Sequence, residues 1–189
     1  MTLWQKTAFS AALLERMLPN YQMFSEATEF GDHSVLRNQL DLIWQRLNKQ
    51  GKVNINYDVQ LAKLEQQIPD PQMYDFFGVY PALDAAMGLM ALLQAMQDNE
   101  GEGFDSIMRL SENSVLFYVE HSLVQSSDNV VVNISQAMLA EHPLVIWEKA
   151  MQNDLFDCSK TARENSSGCA ALKSLALGQG VSNLGIECA

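Results

Sequence analysis

The chain has 189 residues, of which 48% are hydrophobic, and its formal net charge at pH 7 is −11. A chain of this length and composition can bury one hydrophobic core, so we expect a single domain over residues 1–189. Because an acidic chain offers no basic stripe to replace the counterions of a nucleic acid, we expect no nucleic-acid partner.

The first three predicted helices are defined by their end signals. Residues 3–18 have helical spacing, and Pro19 is expected to end that helix. Asp32 or Ser34 can cap a second helix that ends near Gln50. Its apolar side chains recur at helical spacing and predict one buried face: Leu36, Leu40, Ile43, Trp44 and Leu47. Asn54 or Asn56 can cap a third helix that continues to Ile68 before Pro69.

Residues 79–97 are the most apolar stretch, and we expect them to form a central helix covered on most of its circumference. Pro81 suits the first helical position. Four residues at spacings of four, three and four share one face, where a second backbone can approach closely: Asp84, Gly88, Ala91 and Ala95. The run is long enough to span a bilayer, but its flanks are acidic and polar. We therefore expect a buried core helix and no membrane partner.

The remaining segments complete a prediction of an all-α, compact multi-helix domain of about seven helices around the central helix. Residues 104–125 indicate a helix, although β-branched and aromatic side chains in it compete for strand. Residues 129–134 look like a strand without a partner and are interpreted as an extended connection. Short helices are expected at residues 135–141 and 169–177.

A longer helix is expected to begin at Pro143. Its predicted buried stripe follows helical spacing: Leu144, Trp147, Met151, Leu155 and Cys158.

No residue pattern indicates an export signal or a metal site. Residues 3–18 lack the basic start and the cleavage site of a signal peptide, so we expect a cytoplasmic location. The three cysteines form no C-x-x-C pair, which is typical of reduced thiols. The three histidines are far apart in the sequence, and we expect no metal and no cofactor.

Four segments resemble one known family, in the same order along the chain. Residues 15–21 read Glu-Arg-Met-Leu-Pro-Asn-Tyr, residues 40–44 read Leu-Asp-Leu-Ile-Trp, residues 77–85 read Phe-Gly-Val-Tyr-Pro-Ala-Leu-Asp-Ala, and residues 182–186 read Ser-Asn-Leu-Gly-Ile. The chain resembles the YjaG-like family of uncharacterised bacterial proteins, a domain of unknown function. This resemblance implies a compact all-helical cytoplasmic protein, and it supplies no activity, cofactor or catalytic residue.

Polar residues beside aromatic ones in these segments are the candidate ligand-binding residues: Glu15, Arg16, Tyr21, Asp41, Tyr80 and Asp84. Two uses are open. Pairing of Arg16 with Asp84 or Asp41 would neutralise a buried charge and lock helices together. The same groups could instead converge in a pocket for a small polar ligand, where burial would raise the pKa of Asp84. Arg37 is expected to pair with Asp41 on a solvated helix face.

The sequence contains no G-x-S-x-G elbow, no phosphate-binding glycine loop and no H-E-x-x-H motif. We therefore expect a non-enzymatic protein-interaction or regulatory domain that binds a protein partner or a second copy of itself. The alternative is an enzyme or a small-polar-ligand binder that uses a pocket around Arg16, Tyr21, Tyr80 and Asp84. An exposed apolar patch would favour the first hypothesis, and a pocket that collects these four side chains would favour the second.

Overall fold

The computed structural model describes residues 1–48, 52–99, 102–125 and 134–187. Within these ranges the chain forms one 3-10 turn and eight α-helices: α1 (Leu3–Thr28), α2 (His33–Asn48), α3 (Tyr57–Glu65), α4 (Val79–Asp98), α5 (Glu102–Gln125), α6 (Gln136–Ala140), α7 (Pro143–Thr161) and α8 (Ser166–Leu177). The prediction of an all-α fold is confirmed. One large apolar cluster joins α1, α2, α4, α5, α7 and α8.

The first helix does not end at Pro19, as the sequence predicted, but continues to Thr28. A proline inside a helix removes one N–H donor and its ring crowds the carbonyl four residues earlier, so the disturbance is confined to the preceding turn. The helix beyond Pro19 is held by tertiary burial, because Tyr21 and Phe24 are fully buried. The Arg16 carbonyl, three residues before Pro19, accepts a hydrogen bond from the Asn183 N–H (3.0 Å).

Three predicted helix starts are confirmed by their geometry. Asp32 Oδ1 accepts a hydrogen bond from the Ser34 N–H at the start of α2, and Asn56 Oδ1 accepts one from the Val59 N–H at the start of α3. Pro143 is the first residue of α7. The capping side chains supply acceptors for N–H groups that have no partner within the helix.

Helix α4 packs between α1, α3 and α5, which explains its apolar composition. By length and composition alone this helix could cross a membrane. It runs from Val79 to Asp98, which confirms the helix predicted at residues 79–97, although Pro81 is its third residue and not its first. The N–H groups of Val79 and Tyr80 bond to the carbonyls of Phe76 and Phe77, so these donors are already satisfied.

The small face predicted on α4 lies against α5. A Cβ atom built on Gly103 of α5 would stand 2.8 Å from the Ala95 Cβ atom and 3.4 Å from the Ala91 carbonyl oxygen. A Cβ atom on Gly88 would lie 3.1 Å from Cδ2 of Leu14 in α1. Small residues therefore let α4 approach both of its long neighbours closely.

The buried face of α7 is rotated relative to the predicted stripe of residues 144, 147, 151, 155 and 158. Its buried side chains include three polar ones: Val145, Glu148, Met151, Gln152, Leu155 and Ser159. A stripe predicted from hydrophobic residues alone leaves out polar residues that are buried. Glu148 is buried because it pairs with the buried guanidinium of Arg16.

Helix α8 begins three residues before the predicted Cys169, because Asn165 Oδ1 accepts hydrogen bonds from the N–H groups of Ser167 and Gly168. After α8 the chain turns back in an antiparallel bridge between Val181 and Glu187. The predicted extended connection lies outside the described residues except for its last position, 134, and so does Cys188.

The close approach of α4 and α5 generates a stability prediction. We expect Ala95→Leu to destabilise the fold by about 1–3 kcal/mol, since a larger side chain must push Gly103 away. Ala171→Leu on the exposed face of α8 is the matched control and should change stability by less than about 0.5 kcal/mol. Urea unfolding followed by circular dichroism measures both, and equal effects would contradict the packing argument.

Candidate functional site

The Glu15 carboxylate lies in the interior, with only 3% of the residue exposed, and is surrounded by donors. Arg37 holds it in a bidentate contact, with Nη1–Oε2 at 2.6 Å and Nη2–Oε1 at 2.9 Å. The Trp44 indole N–H donates to Oε1 at 2.7 Å, and the Lys173 ammonium lies 3.5 Å from the same oxygen. Asp41 accepts a 2.7 Å bond from Arg37, as predicted. The Glu15 carboxylate is therefore held by side chains of α2 and α8. It has little remaining capacity to accept hydrogen bonds from a substrate.

Arg16 makes a second buried ion pair, and its partner is Glu148 of α7 at 2.8 Å. Pairing with Asp84 or Asp41, which the sequence left open, does not occur. The other Glu148 oxygen accepts hydrogen bonds from Ser111 (2.7 Å) and Gln152 (2.9 Å). Burial of two charges is tolerated better when further hydrogen bonds satisfy them. Here such bonds are made on the Glu148 side, whereas Nε and Nη1 of Arg16 are buried without a hydrogen-bond partner among the described residues.

The Arg16 guanidinium also lies over the indole ring of Trp147, with Cζ 4.5 Å from the ring centroid. This cation–π contact adds to the Glu148 pair and fixes α1 against α7.

Two further polar side chains near Pro19, those of Asn20 and Tyr21, make hydrogen bonds to distant parts of the chain. Asn20 donates to Asn183 Oδ1 at 2.8 Å, and the Asn183 amide donates to the Ser111 hydroxyl at 3.0 Å. The Tyr21 hydroxyl donates to the Gln67 carbonyl at 2.8 Å. Burial, with a smaller contribution from the negative charge of Asp32, raises the pKa of Tyr21 to about 12. These contacts attach the C-terminal turn and the α3 connection to α1.

The six candidate residues are therefore distributed over separate places. Glu15 and Tyr21 line a cleft of about 280 Å³, together with His33 and Arg37. Asp41 does not line this cleft but accepts a hydrogen bond from Arg37. Arg16 is buried against α7. Tyr80 and Asp84 belong to the surface formed by α4 and α5. Ligand binding by this set stays a prediction, but its members do not line one common pocket.

Asp84 is half-buried on α4 and accepts a 2.5 Å hydrogen bond from the Ser114 hydroxyl of α5. Burial raises the pKa of Asp84, and the Ser114 hydrogen bond offsets this increase in part. The direction agrees with the expectation drawn from its apolar surroundings.

A groove of about 660 Å³ opens where the segment before α4 meets the C-terminal half of α5. We call it the aromatic groove, and it is lined by residues 74–77 with Tyr80, Phe117, Tyr118, His121, Ser122 and Gln125. Its volume lies within the roughly 300–1,000 Å³ of typical ligand pockets. Three of its rings are strongly exposed: Phe76 (44%), Tyr80 (40%) and Phe117 (42%).

Phe77 is the central ring of the aromatic groove. It stacks on the His121 imidazole at a centroid distance of 4.6 Å and contacts Phe117 at 5.4 Å and Tyr118 at 5.7 Å. Tyr80 meets Phe117 edge to face at 4.9 Å. Such geometries stabilise aromatic pairs and hold the rings in place.

Gly78 allows Phe76 to lie across the backbone at the edge of the aromatic groove. A Cβ atom at this position would overlap the Phe76 ring at Cε1. The glycine of the Phe-Gly-Val-Tyr-Pro segment therefore positions an exposed ring.

Sequence reasoning missed the part of the aromatic groove that α5 contributes. Phe117 and His121 are four residues apart and so share a face of the helix predicted at residues 104–125, but two aromatic residues at this spacing do not by themselves indicate a groove. Glu148, Ser111 and Gln152 were missed too, because polar residues at isolated positions give no periodic signal. Among the described residues, no three His, Cys, Asp or Glu side chains are placed to hold a metal ion.

The described cysteines, Cys158 and Cys169, are free thiols. Burial raises the pKa of both, that of Cys169 to about 11, which favours the unreactive protonated form.

The fold and these sites define an all-α protein with an apolar core, buried polar contacts that cross it, and an exposed aromatic groove. A family model described as "Protein of unknown function (DUF416)" matches residues 1–187, and the chain belongs to this family. The resemblance to YjaG-like proteins is confirmed by the relatives that the chain matches.

Relatives and a solved structure agree with this assignment. "Uncharacterized protein YjaG" of Salmonella typhimurium is 36% identical over 97% of this chain and 91% of its own. The Escherichia coli protein of the same name is 38% identical over 81% of this chain and 74% of its own. A crystal structure of a DUF416 family protein from Shewanella baltica OS155 superposes with a TM-score of 0.86 at 36% identity, covering 99% of this chain and 94% of that one.

The Arg16–Glu148 pair yields a prediction about stability. Glu148→Leu leaves the Arg16 charge buried and unpaired, so we expect a loss of about 3–5 kcal/mol. Adding Arg16→Met removes that charge, and the double variant should be more stable than Glu148→Leu alone. Guanidinium unfolding of wild type, the two single variants and the double variant tests this order, and a double variant no more stable than Glu148→Leu would contradict it.

Asp84 yields a prediction about pH. Because its folded pKa is raised, the folded state holds more protons than the unfolded state between the two pKa values, and stability falls as pH rises through that window. An asparagine side chain at this position would still accept the Ser114 hydrogen bond without ionising. We therefore expect Asp84→Asn to be more stable than wild type at pH 7, with a difference that shrinks as the pH is lowered.

Thermal unfolding over a series of pH values measures this difference. Asp105→Asn, on an exposed position of α5, controls for the loss of one negative charge. A difference between Asp84→Asn and wild type that does not vary with pH would show that Asp84 does not titrate as described.

Proposed function

We propose that this protein is a cytoplasmic protein-interaction domain that binds an extended segment of a partner protein in the aromatic groove. The observation that carries the proposal is the group of three exposed rings, Phe76, Tyr80 and Phe117, set around Phe77. Large aromatic side chains are enriched at protein interfaces, where each contributes much contact area at little cost in conformational entropy.

The shape and chemistry of the aromatic groove suit a peptide segment. Aromatic rings make up most of its lining, while Ser122 and Gln125 line its α5 side and His121 interacts with Gln125 (2.9 Å). Such polar groups can pair with the backbone of an extended chain, and the rings can receive its side chains. This combination corresponds to peptide recognition by aromatic-lined grooves.

The charge of the aromatic groove favours a foreign partner over a second copy of this chain. Asp75 is the charged residue in its lining, which contains neither Lys nor Arg among the described residues. With a net charge of −11 on each copy, self-association would bring like charges together. A partner segment with a positive charge avoids this cost.

A photocrosslinking experiment tests the proposal. The photoreactive residue p-benzoylphenylalanine is placed at position 117, the protein is irradiated in a lysate of its source cell, and mass spectrometry maps the crosslinked segment. We expect one partner segment whose capture by affinity-tagged protein falls at least about tenfold in Tyr80→Ala and Phe117→Ala.

Phe156→Ala is the matched control, because Phe156 is a similarly exposed ring on α7 that contacts Phe9. It should capture the partner as wild type does, with circular dichroism confirming that all variants fold. A partner that Phe117→Ala retains in full would overturn the proposal. So would a dimer, detected by sedimentation, that the groove variants abolish.

A further inference from the structure

One acidic side chain differs from the others that are removed from solvent. Glu15, Asp41, Glu112 and Glu148 each lie within 4 Å of a Lys or Arg nitrogen. Among the acidic residues that the structure describes as buried or half-buried, Asp84 alone has no such cation. Its described hydrogen-bond partner is the neutral Ser114 hydroxyl.

Asp84 does not line the aromatic groove, but it lies about one helical turn from the contact between two residues that do, Tyr80 and Phe117. Tyr80 precedes it by four residues on α4, and Phe117 follows Ser114 by three residues on α5. Residues at these spacings are neighbours on a helix surface, about 5–6 Å apart between Cβ atoms. The Asp84–Ser114 contact and the Tyr80–Phe117 contact are thus neighbouring contacts between α4 and α5, about one helical turn apart.

We propose that the aromatic groove recognises an arginine or lysine side chain of the partner segment, whose cationic group lies over the Tyr80 and Phe117 rings with Asp84 as its counter-charge. This inference rests on the proposed function and names the chemistry that the site selects.

A cation at this position satisfies two groups at once. The faces of exposed aromatic rings attract cations, and this attraction strengthens when solvent is displaced. A half-buried carboxylate with one neutral donor gains a charge-assisted hydrogen bond from an ammonium or a guanidinium. Burial raises the pKa of Asp84 while the site lacks a cation, and a bound cation would lower it again. An anionic partner would meet Asp75 and Asp84 with the same sign of charge.

Titration of the folded protein with Nα-acetylarginine amide tests the inference, with the neutral isostere Nα-acetylcitrulline amide for comparison. The readout is the NMR signals of the Tyr and Phe rings. We expect saturable shifts of the Tyr80 and Phe117 signals with the arginine compound only, and a weaker response at high salt. Asp84→Asn should weaken this binding about tenfold, the loss expected for a hydrogen bond between charged groups.

Asp105→Asn is the matched control and should leave the binding unchanged, because Asp105 lies on an exposed position near the opposite end of α5. Equal responses to arginine and citrulline compounds, or full binding by Asp84→Asn, would overturn the inference. A response to spermidine without one to the arginine compound would assign the site to a free polyamine and would also overturn it. Each result is compatible with a crosslinked partner at position 117, so the inference can fail while the proposed function stands.

Discussion

The arrangement of the helices depends on the polar side chains that radiate from the middle of α1. Four residues of one short segment reach five different parts of the chain: Glu15 contacts α2 and α8, Arg16 contacts α7, Asn20 contacts the C-terminal turn, and Tyr21 contacts the connection after α3. Apolar contacts tolerate small rotations of a helix, but a buried ion pair that loses its partner costs several kcal/mol. Apolar burial thus supplies most of the stability, while these contacts select one arrangement of the neighbouring helices.

Pro19 contributes to the same constraint. A proline within a helix perturbs the hydrogen bonds of the preceding turn, and the Arg16 carbonyl in that turn accepts the Asn183 N–H. The Arg16 side chain meanwhile pairs with Glu148, whose other oxygen accepts from Ser111, and Ser111 in turn accepts from Asn183. One residue of α1 therefore joins α5, α7 and the C-terminal turn through both its backbone and its side chain.

The sequence predicted those features that depend on local signals. The α2 and α3 caps, Pro143 at the start of α7 and the small face of α4 all follow from chemistry within a few residues, and the structure confirms them. The continuation of α1 past Pro19 was not predicted, because burial of Phe24 outweighs a local helix-breaking signal. The partner of Arg16 was not predicted either, since periodicity assigns a residue to a face but does not say which distant side chain it meets.

The aromatic groove follows from the way residue size changes along the contact between α4 and α5. At one end Ala95 meets Gly103, where the backbones come close. Asp84 and Ser114 come next toward the other end, and there Tyr80 meets Phe117. Small side chains fit within the contact, whereas two aromatic rings exceed the available space and project into solvent, so each stays about 40% exposed. Asp84 lies between the closely packed small residues of this contact and its exposed aromatic rings. It is close enough to the interior to lose part of its hydration, and it lies one helical turn from Tyr80 on α4. Glu15 and Arg16 of α1 have charged partners inside the fold, whereas the Asp84 carboxylate meets the neutral Ser114 hydroxyl and no cation among the described residues.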